Sequence, residues 1–403
     1  MNKYLFFALF MCPVFLAGAQ STSVKLSLGE AVQLFSDNNL ELIAERYNID
    51  IAEAQVIQAK LFENPTISLE QNIYNRNNGK YFDVGREGEA GVEIEQLIYI
   101  AGQRNKRIRL EKINKEASVF QFKEVVRTLN SELKTKFINL YYARKTLSVY
   151  DREIEYLNKL LDVLKEQNLK GNISLLEKSR VQALLLSLQQ EKNETCNQAV
   201  SLQGELKLLL GITNHTDIIE PVFDESAADK IDINSTPFSE LTAQLSERPD
   251  IKAAQAFTKA SEANIRLQKA LAFPEVSVKG IYDRAGNFCD NYFAIGLNVS
   301  VPLFNRNQGN IKAARLSALQ NSTRETQAKL QAENELYTSY SSLERAIQLY
   351  RSSNYELERD FNTIMEGVNA NFQKRNISLL ELIDYYQVYK ETCLQLYNTR
   401  KNV

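Results

Sequence analysis

Four short spans of the chain alternate between apolar and polar positions, and most of the remainder repeats with a helical period. From Thr66 to Tyr74 the residues Ile67, Leu69 and Ile73 share one face. From Glu89 to Leu97, Ala90, Val92 and Ile94 share a face, with Glu89, Glu93 and Glu95 opposite. The alternation returns at Val276, Val278 and Tyr282, and again at Phe293, Ile295, Leu297, Val299 and Val301. Strands are therefore predicted over about 66–74, 89–97, 275–283 and 292–301, with polar Gly-containing loops over 75–88 and 284–291 joining each pair. Ser27-Leu28-Gly29-Glu30 has the form of a capping box opening a helix to about Glu63, which Pro65 ends. After each strand pair a proline-free helical pattern follows, from about Gly102 to Leu169 and from about Gly309 to Phe372. Helices of that length would reach on the order of 100 Å, far more than a globular domain needs.

The elements occur twice. Asn39-Leu40-Glu41-Leu42-Ile43-Ala44, leading to Pro65, returns as Arg248-Pro249-Asp250-Ile251-Lys252-Ala253, leading to Pro274. The offset is 209 residues from Pro65 to Pro274, 207 from Gly102 to Gly309, and 204 from Asn172 to Asn376. The last pair belongs to two identical six-residue strings, Asn172 to Glu177 and Asn376 to Glu381. Each copy reads helix, two strands, long helix, tight turn, helix. The expected division is a signal peptide over 1–19, a first repeat over 20–212, a polar connection over 213–235 and a second repeat over 236–403.

Segments of about ten residues with one apolar and one polar face fit tilted transmembrane β-strands facing lipid on one side and a wet lumen on the other. Four strands cannot close a barrel, and an open edge is prohibitive in lipid, so other copies must complete it; three copies supply twelve strands. The competing reading of the pattern is two soluble hairpins packed on a helical bundle. Pro65 and Pro274 mark the expected helix-to-strand junctions, because proline can continue neither helix.

Composition narrows the function. Lys and Arg number 48 against 50 Asp and Glu, which leaves no basic excess for a nucleic-acid backbone. Mean hydropathy is −0.33, and beyond the N-terminus no apolar run is long enough for a membrane-spanning helix. Lys3, the apolar run Tyr4 to Leu16 and Ala17-Gly18-Ala19 form a secretory signal, so the mature chain is expected to begin at Gln20. Bulky Phe10 and Met11 before Cys12 do not suit a lipoprotein signal. Three thiols outside the signal, Cys196, Cys289 and Cys393, form no disulfide framework or metal spacing. His215 is the sole histidine and Met365 the sole methionine outside the signal, so neither a histidine centre nor a thioether relay for soft metals is built into the chain. No phosphate loop or catalytic constellation is present, and no cofactor is expected. The functions left open are a transport conduit and a non-pore coiled-coil envelope tether.

The string Val301-Pro302-Leu303-Phe304-Asn305-Arg306-Asn307-Gln308-Gly309-Asn310-Ile311, the turn strings Gly171 to Glu177 and Arg375 to Glu381, and the duplication resemble the TolC family of outer-membrane efflux ducts. Gln96 to Arg104 and Pro274 to Asn287 look most like its heavy-metal branch. The resemblance implies a mainly α chain with a small transmembrane β part. Its helices would form a long α-helical barrel across the periplasm, and its four strands would join a trimeric 12-stranded outer-membrane β-barrel. It also implies a passive duct for heavy-metal cations, with drugs or other small molecules as the alternative cargo. The implied partners are a periplasmic adaptor, an inner-membrane pump of the resistance-nodulation-division class, and outer-membrane lipid.

Two groups of residues carry the expected chemistry. Gly171, Asn172 and Ile173, with Asn376 and Ile377, lie in the tight turns between long helices and resemble adaptor-docking tips; helix capping alone is the plainer reading. Glu177 and Glu381 complete Ser-x-x-Glu capping boxes, while Asp384 lies one turn beyond Glu381 on the same helical face. Glu381 and Asp384 match the family's acidic ring at the tunnel entrance, and Glu177 an acidic position on the neighbouring hairpin. Lys374 and Arg375 are placed to bridge to that ring, with Leu380 and Ile383 directed toward neighbouring helices.

Overall fold

The computed structural model describes residues 23–85, 87–285, 289–353 and 356–403. The signal segment and Cys12 lie outside the described residues, as does the centre of the 284–291 loop. Two compact units are present. One contains the chain up to Asn39, Asn130–Ile231 and Ala346–Val403; the other contains Leu40–Leu129 and Asp232–Arg345.

The first unit opens with β1 (Ser23–Ser27), which leads into α1 (Leu28–Asn38) through the Ser27/Glu30 capping box. The predicted helix to Glu63 is broken at Asn39. Asn39 is extended (ψ 118°) and buried, and its Nδ2 donates to the Leu209 carbonyl at 2.8 Å, a competing hydrogen bond that stops the helix. The chain resumes in the second unit as α2 (Leu40–Lys60). Four strands or strand fragments follow: β2 (Thr66–Gln71), β3 (Tyr74–Asn75), β4 (Lys80–Tyr81) and β5 (Ala90–Ile98).

A single helix, α3 (Gln103–Leu169), supplies residues to both units, and α4 (Leu175–Leu210) returns from it. Gly211 caps α4 at φ 66°; a Cβ there would meet the Asn38 carbonyl oxygen at 2.4 Å, so the position requires glycine. The stretch predicted as a polar connection instead contains β6 (Ile218–Val222), which pairs in parallel with β1 and buries Leu26 and Ile219. The apolar residues of β1 and β6 are too few for an alternation pattern, so neither strand is legible before the pairing is seen.

The second unit continues with α5 (Phe238–Gln244) and α6 (Pro249–Ala270), whose buried Ala253, Ala256, Ala260 and Ala263 form a flat stripe. Then come β7 (Glu275–Ala285), β8 (Asp290–Ser300) and α7 (Gln308–Ser352). The predicted second long helix is divided: α7 ends where the Ser352 and Ser353 hydroxyls both donate to the Leu349 carbonyl, and α8 (Glu356–Gln373) follows. α9 (Leu379–Asn402) closes the chain.

The core of the first unit is a four-helix seam. α3 contributes Tyr142, Val149, Leu157, Leu161 and Leu164; α4 contributes Val181 and Leu188; α8 contributes Met365; α9 contributes Leu382, Tyr386, Tyr389, Cys393 and Tyr397. The three-, four- and seven-residue spacings are those of helices packed side by side. Each fully buried leucine adds roughly 1.5–3 kcal/mol.

In the second unit, β2, β5, β7 and β8 form an antiparallel sheet in that order. The register aligns Leu69, Val92, Tyr282 and Phe293 in one row, and Ile67, Ile94, Gly280 and Ile295 in the next. These rows lie on one face, and the large apolar side chains are open, with Phe293 75% and Ile295 86% exposed. The opposite face carries Ser68, Glu70, Glu93, Glu95, Lys279 and Asp283. β2 is shorter than its predicted strand because the chain turns at Gln71, whose side-chain amide donates to the Asp83 carbonyl at 3.0 Å. Tyr74 joins instead the short β3–β4 ribbon, its ring 4.9 Å from that of Tyr81.

Candidate functional site

The two tight turns lie side by side. Asn172, Ile173 and Glu177 from one, and Arg375, Ile377 and Leu379 from the other, line a single groove of about 580 Å³ together with Tyr156, Phe372 and Asn369. Their backbones are nearly superposable in hydrogen bonding. At the first, the Gly171 N–H donates to the Asn168 carbonyl and the Asn172 N–H to the Gln167 carbonyl, each at 3.0 Å. At the second, the Arg375 N–H donates to Phe372 and the Asn376 N–H to Asn371, each at 2.9 Å. Both are Schellman ends, which need a left-handed residue at their centre. Gly171 fills it at φ 76°, but the second turn places Arg375 there at φ 60°. A left-handed arginine costs on the order of 1 kcal/mol, a price of the kind found where a side chain has work beyond the fold.

The neighbouring side chains are held from within each turn. Asn172 Nδ2 donates to Gln167 Oε1 at 2.8 Å and Asn376 Nδ2 to Asn371 Oδ1 at 3.0 Å, while Ile173 and Ile377 pack against the helical core. Ser174 and Ser378 then open α4 and α9 with complete capping boxes. Glu177 Oε2 accepts the Ser174 N–H at 2.9 Å, and Glu381 Oε2 the Ser378 N–H at 2.7 Å. Backbone and hydroxyl donors at these caps hold both carboxyls below the usual glutamate range.

Asp384 is exposed one turn beyond Glu381. Lys374 and Arg375 form no ion pair with Glu381 or Asp384 within one chain. Within one chain Ile383 packs against the helical core beside the buried Leu382, while Leu380 is 57% exposed. Pro65 immediately precedes β2 and Pro274 immediately precedes β7. Beside Pro65, the Arg104 guanidinium stacks on Phe62 at 4.2 Å and its Nε donates to the Lys60 carbonyl at 2.9 Å, capping the end of α2.

The fold and these residues converge with what the chain resembles. The model of the outer membrane efflux protein family matches residues 31–212 and 241–369, one segment in each repeat. The chain belongs to the outer membrane efflux protein family. It is a transport-type outer-membrane protein with an internal duplication. A curated relative, the nickel-cobalt-cadmium resistance protein NccC of Alcaligenes xylosoxydans xylosoxydans, is 23% identical over 289 residues, covering 69% of this chain and 62% of that protein. The cobalt-zinc-cadmium resistance protein CzcC of Cupriavidus metallidurans is 22% identical across 93% of this chain and 85% of its own length. The pyoverdine export outer membrane protein OpmQ of Pseudomonas aeruginosa is 22% identical and is spanned for 54% of its length. Among solved structures, the Campylobacter jejuni CmeC outer membrane channel matches with a TM-score of 0.72 at 17% identity, over 93% of this chain and 82% of that one. A crystal structure of CusC matches with a TM-score of 0.68 at 18% identity, over 96% and 91%.

Two groups with structural or electrostatic weight were missed from the sequence. Glu225, in the 213–235 connection, accepts from Tyr141 at 2.8 Å and Arg400 at 2.9 Å and also pairs with Lys145, tying the connection to α3 and α9. Glu153 on α3 is 2% exposed, and its Oε1 has no hydrogen-bond partner. Burial pushes its carboxyl up to about 8, against the opposing pull of Lys390 on α9. Single acidic letters inside helices carry no signal that separates them from solvated ones. His215 is exposed, its carbonyl accepting from Lys207 at 2.8 Å.

Proposed function

We propose that three copies of this chain pair their sheets into one 12-stranded outer-membrane barrel and export heavy-metal cations through it. The observation that carries this reading is the sheet itself. One face is mainly apolar and largely open, and among the described residues the outer edges of β2 and β8 end the strand order without a partner strand. In lipid such edges must be closed, and β8 of one copy pairing with β2 of the next closes them with no new element. The metal cargo is supported by similarity to proteins named for nickel, cobalt, zinc and cadmium resistance. The similarity to a pyoverdine exporter favours a second reading, a duct of the same fold for small organic molecules.

In the favoured reading the paired turns at Gly171–Ile173 and Asn376–Ile377 dock a periplasmic adaptor, which couples the duct to an inner-membrane pump of the resistance-nodulation-division class. Glu381 and Asp384 from three copies ring the tunnel entrance and attract cations, with Glu177 on the adjacent hairpin and Lys374 and Arg375 bridging between copies to hold it closed. The double variant Glu381→Gln, Asp384→Asn tests the ring in planar-bilayer recordings. Weaker cation preference and weaker block by multivalent cations are expected; wild-type behaviour would leave these residues as caps and surface charge. For cargo, cells lacking the protein should accumulate cobalt, zinc or cadmium and lose the excess on complementation. Unchanged metal content with new sensitivity to organic compounds would move the assignment to the second reading.

A further inference from the structure

The polar face of the sheet carries an uneven set of charges. Its register places Glu70 on β2, Glu93 and Glu95 on β5, and Glu275 and Asp283 on β7, all on the same side. Among the described residues of the four strands the basic side chains are Lys279 and Arg284. Arg284 lies near the strand end and is spent on the Val84 and Gly85 carbonyls, at 2.6 and 3.2 Å. Lys279 is different. It stands directly across from Glu95 in the β5–β7 register, its Nζ 2.6 Å from Glu93 Oε1 and 3.6 Å from Glu95 Oε2. Glu95 is also faced by Asn298 Nδ2 at 3.5 Å from β8, whereas the position across from Lys279 on β8 is Gly296, which adds no side chain. One ammonium thus sits between two carboxylates where a divalent cation would otherwise find a ready pair of oxygen ligands.

We infer that Lys279 is a specificity-determining residue, a tethered counter-ion that keeps the strand face permissive to cations without letting the Glu93–Glu95 pair retain them. The inference rests on the duct reading, in which this face lines the lumen. With Lys279 in place the triad carries one net negative charge per chain; without it, two. In a pore narrower than a few Debye lengths, about 10 Å each at 0.1 M salt, a ring gaining one charge per copy raises the potential by an amount comparable to thermal energy. It also exposes a bidentate oxygen site for a divalent ion.

The test is planar-bilayer recording of the purified protein in the Glu381→Gln, Asp384→Asn background, so that the tip acids contribute nothing to the difference. Lys279→Gln should raise the cation-to-anion permeability ratio roughly twofold or more and introduce block by cadmium that the Lys279 protein lacks. A second variant keeps Lys279 and carries Glu93→Gln with Glu95→Gln; it should shift the ratio toward anions and remain unblocked. Channels of normal conductance whose permeability ratio and cadmium response match the background in both variants would overturn the role of Lys279. Failure of the background protein itself to form channels would overturn the duct reading instead.

Discussion

Replacing Glu153 by glutamine should flatten the pH dependence of the helical unit's stability. Glu153 lies on α3 within the seam, close to Tyr150 and Arg152 on its own helix, Glu191 on α4, and Tyr386, Tyr389 and Lys390 on α9. Lys390 is already engaged by Glu191, at 2.9 Å, and Glu153 Oε1 is left without a partner. In the unfolded chain this carboxyl releases its proton near the ordinary value of 4.5, whereas burial holds the proton to about 8 in the native state. Between those values the native protein binds more protons than the unfolded one, so stability falls as pH rises. The contribution is complete below 4.5, declines by about 1.4 kcal/mol per pH unit, and is lost above 8, for a total of about 5 kcal/mol. Glutamine keeps the shape and has no proton to lose. Unfolding of both purified proteins in detergent, followed by helical circular dichroism from pH 5 to pH 9, isolates the effect, because all other titrations are common to both. The curves should nearly meet at pH 5 and separate by several kcal/mol by pH 8.5, with the variant more stable. Parallel curves would show instead that Glu153 is ionised and solvated in the native protein.

Other changes act at the turns and the connection. Arg375→Gly should raise the thermal midpoint by relieving a left-handed arginine worth about 1 kcal/mol, while Gly171→Ala lowers it by a similar amount; opposite signs in calorimetry are the check. Charged bulky residues at both Asn172 and Asn376 should abolish export in cells while leaving the oligomer intact on native gels, and unchanged export would remove adaptor docking from these turns. Glu225→Ala removes the carboxylate that Tyr141, Lys145 and Arg400 share and should destabilise the first unit by about 1–3 kcal/mol. A loss confined to a few tenths in denaturant titrations would mean that the connection is held by its strand pairing alone.

Much of this fold was legible because its signals are periodic. The alternation at Ile67, Leu69, Val92 and Ile94 set which side of the sheet is apolar, and the structure's cross-strand rows place those residues on one face. Ser174, Glu177, Ser378 and Glu381 announced two helix starts through a four-residue code that the backbone then obeys. What escaped was non-periodic. β1 and β6 are each five residues long and find each other across nearly the length of a repeat, so neither has a local pattern strong enough to read. Asn39 and the Ser352–Ser353 pair end helices through side-chain hydrogen bonds that depend on which carbonyl happens to be free. The left-handed Arg375 was hidden because its sequence context names arginine where the equivalent turn names glycine.

The claim on which the rest depends is that the open sheet of each chain is completed by two further copies in the outer membrane. Native mass spectrometry of protein extracted from outer-membrane fractions tests it directly, since it counts chains without assuming a shape. A complex of three mature chains that forms conducting channels when reconstituted is the expected result. A monomer, or recovery of the protein in the soluble fraction, would contradict it.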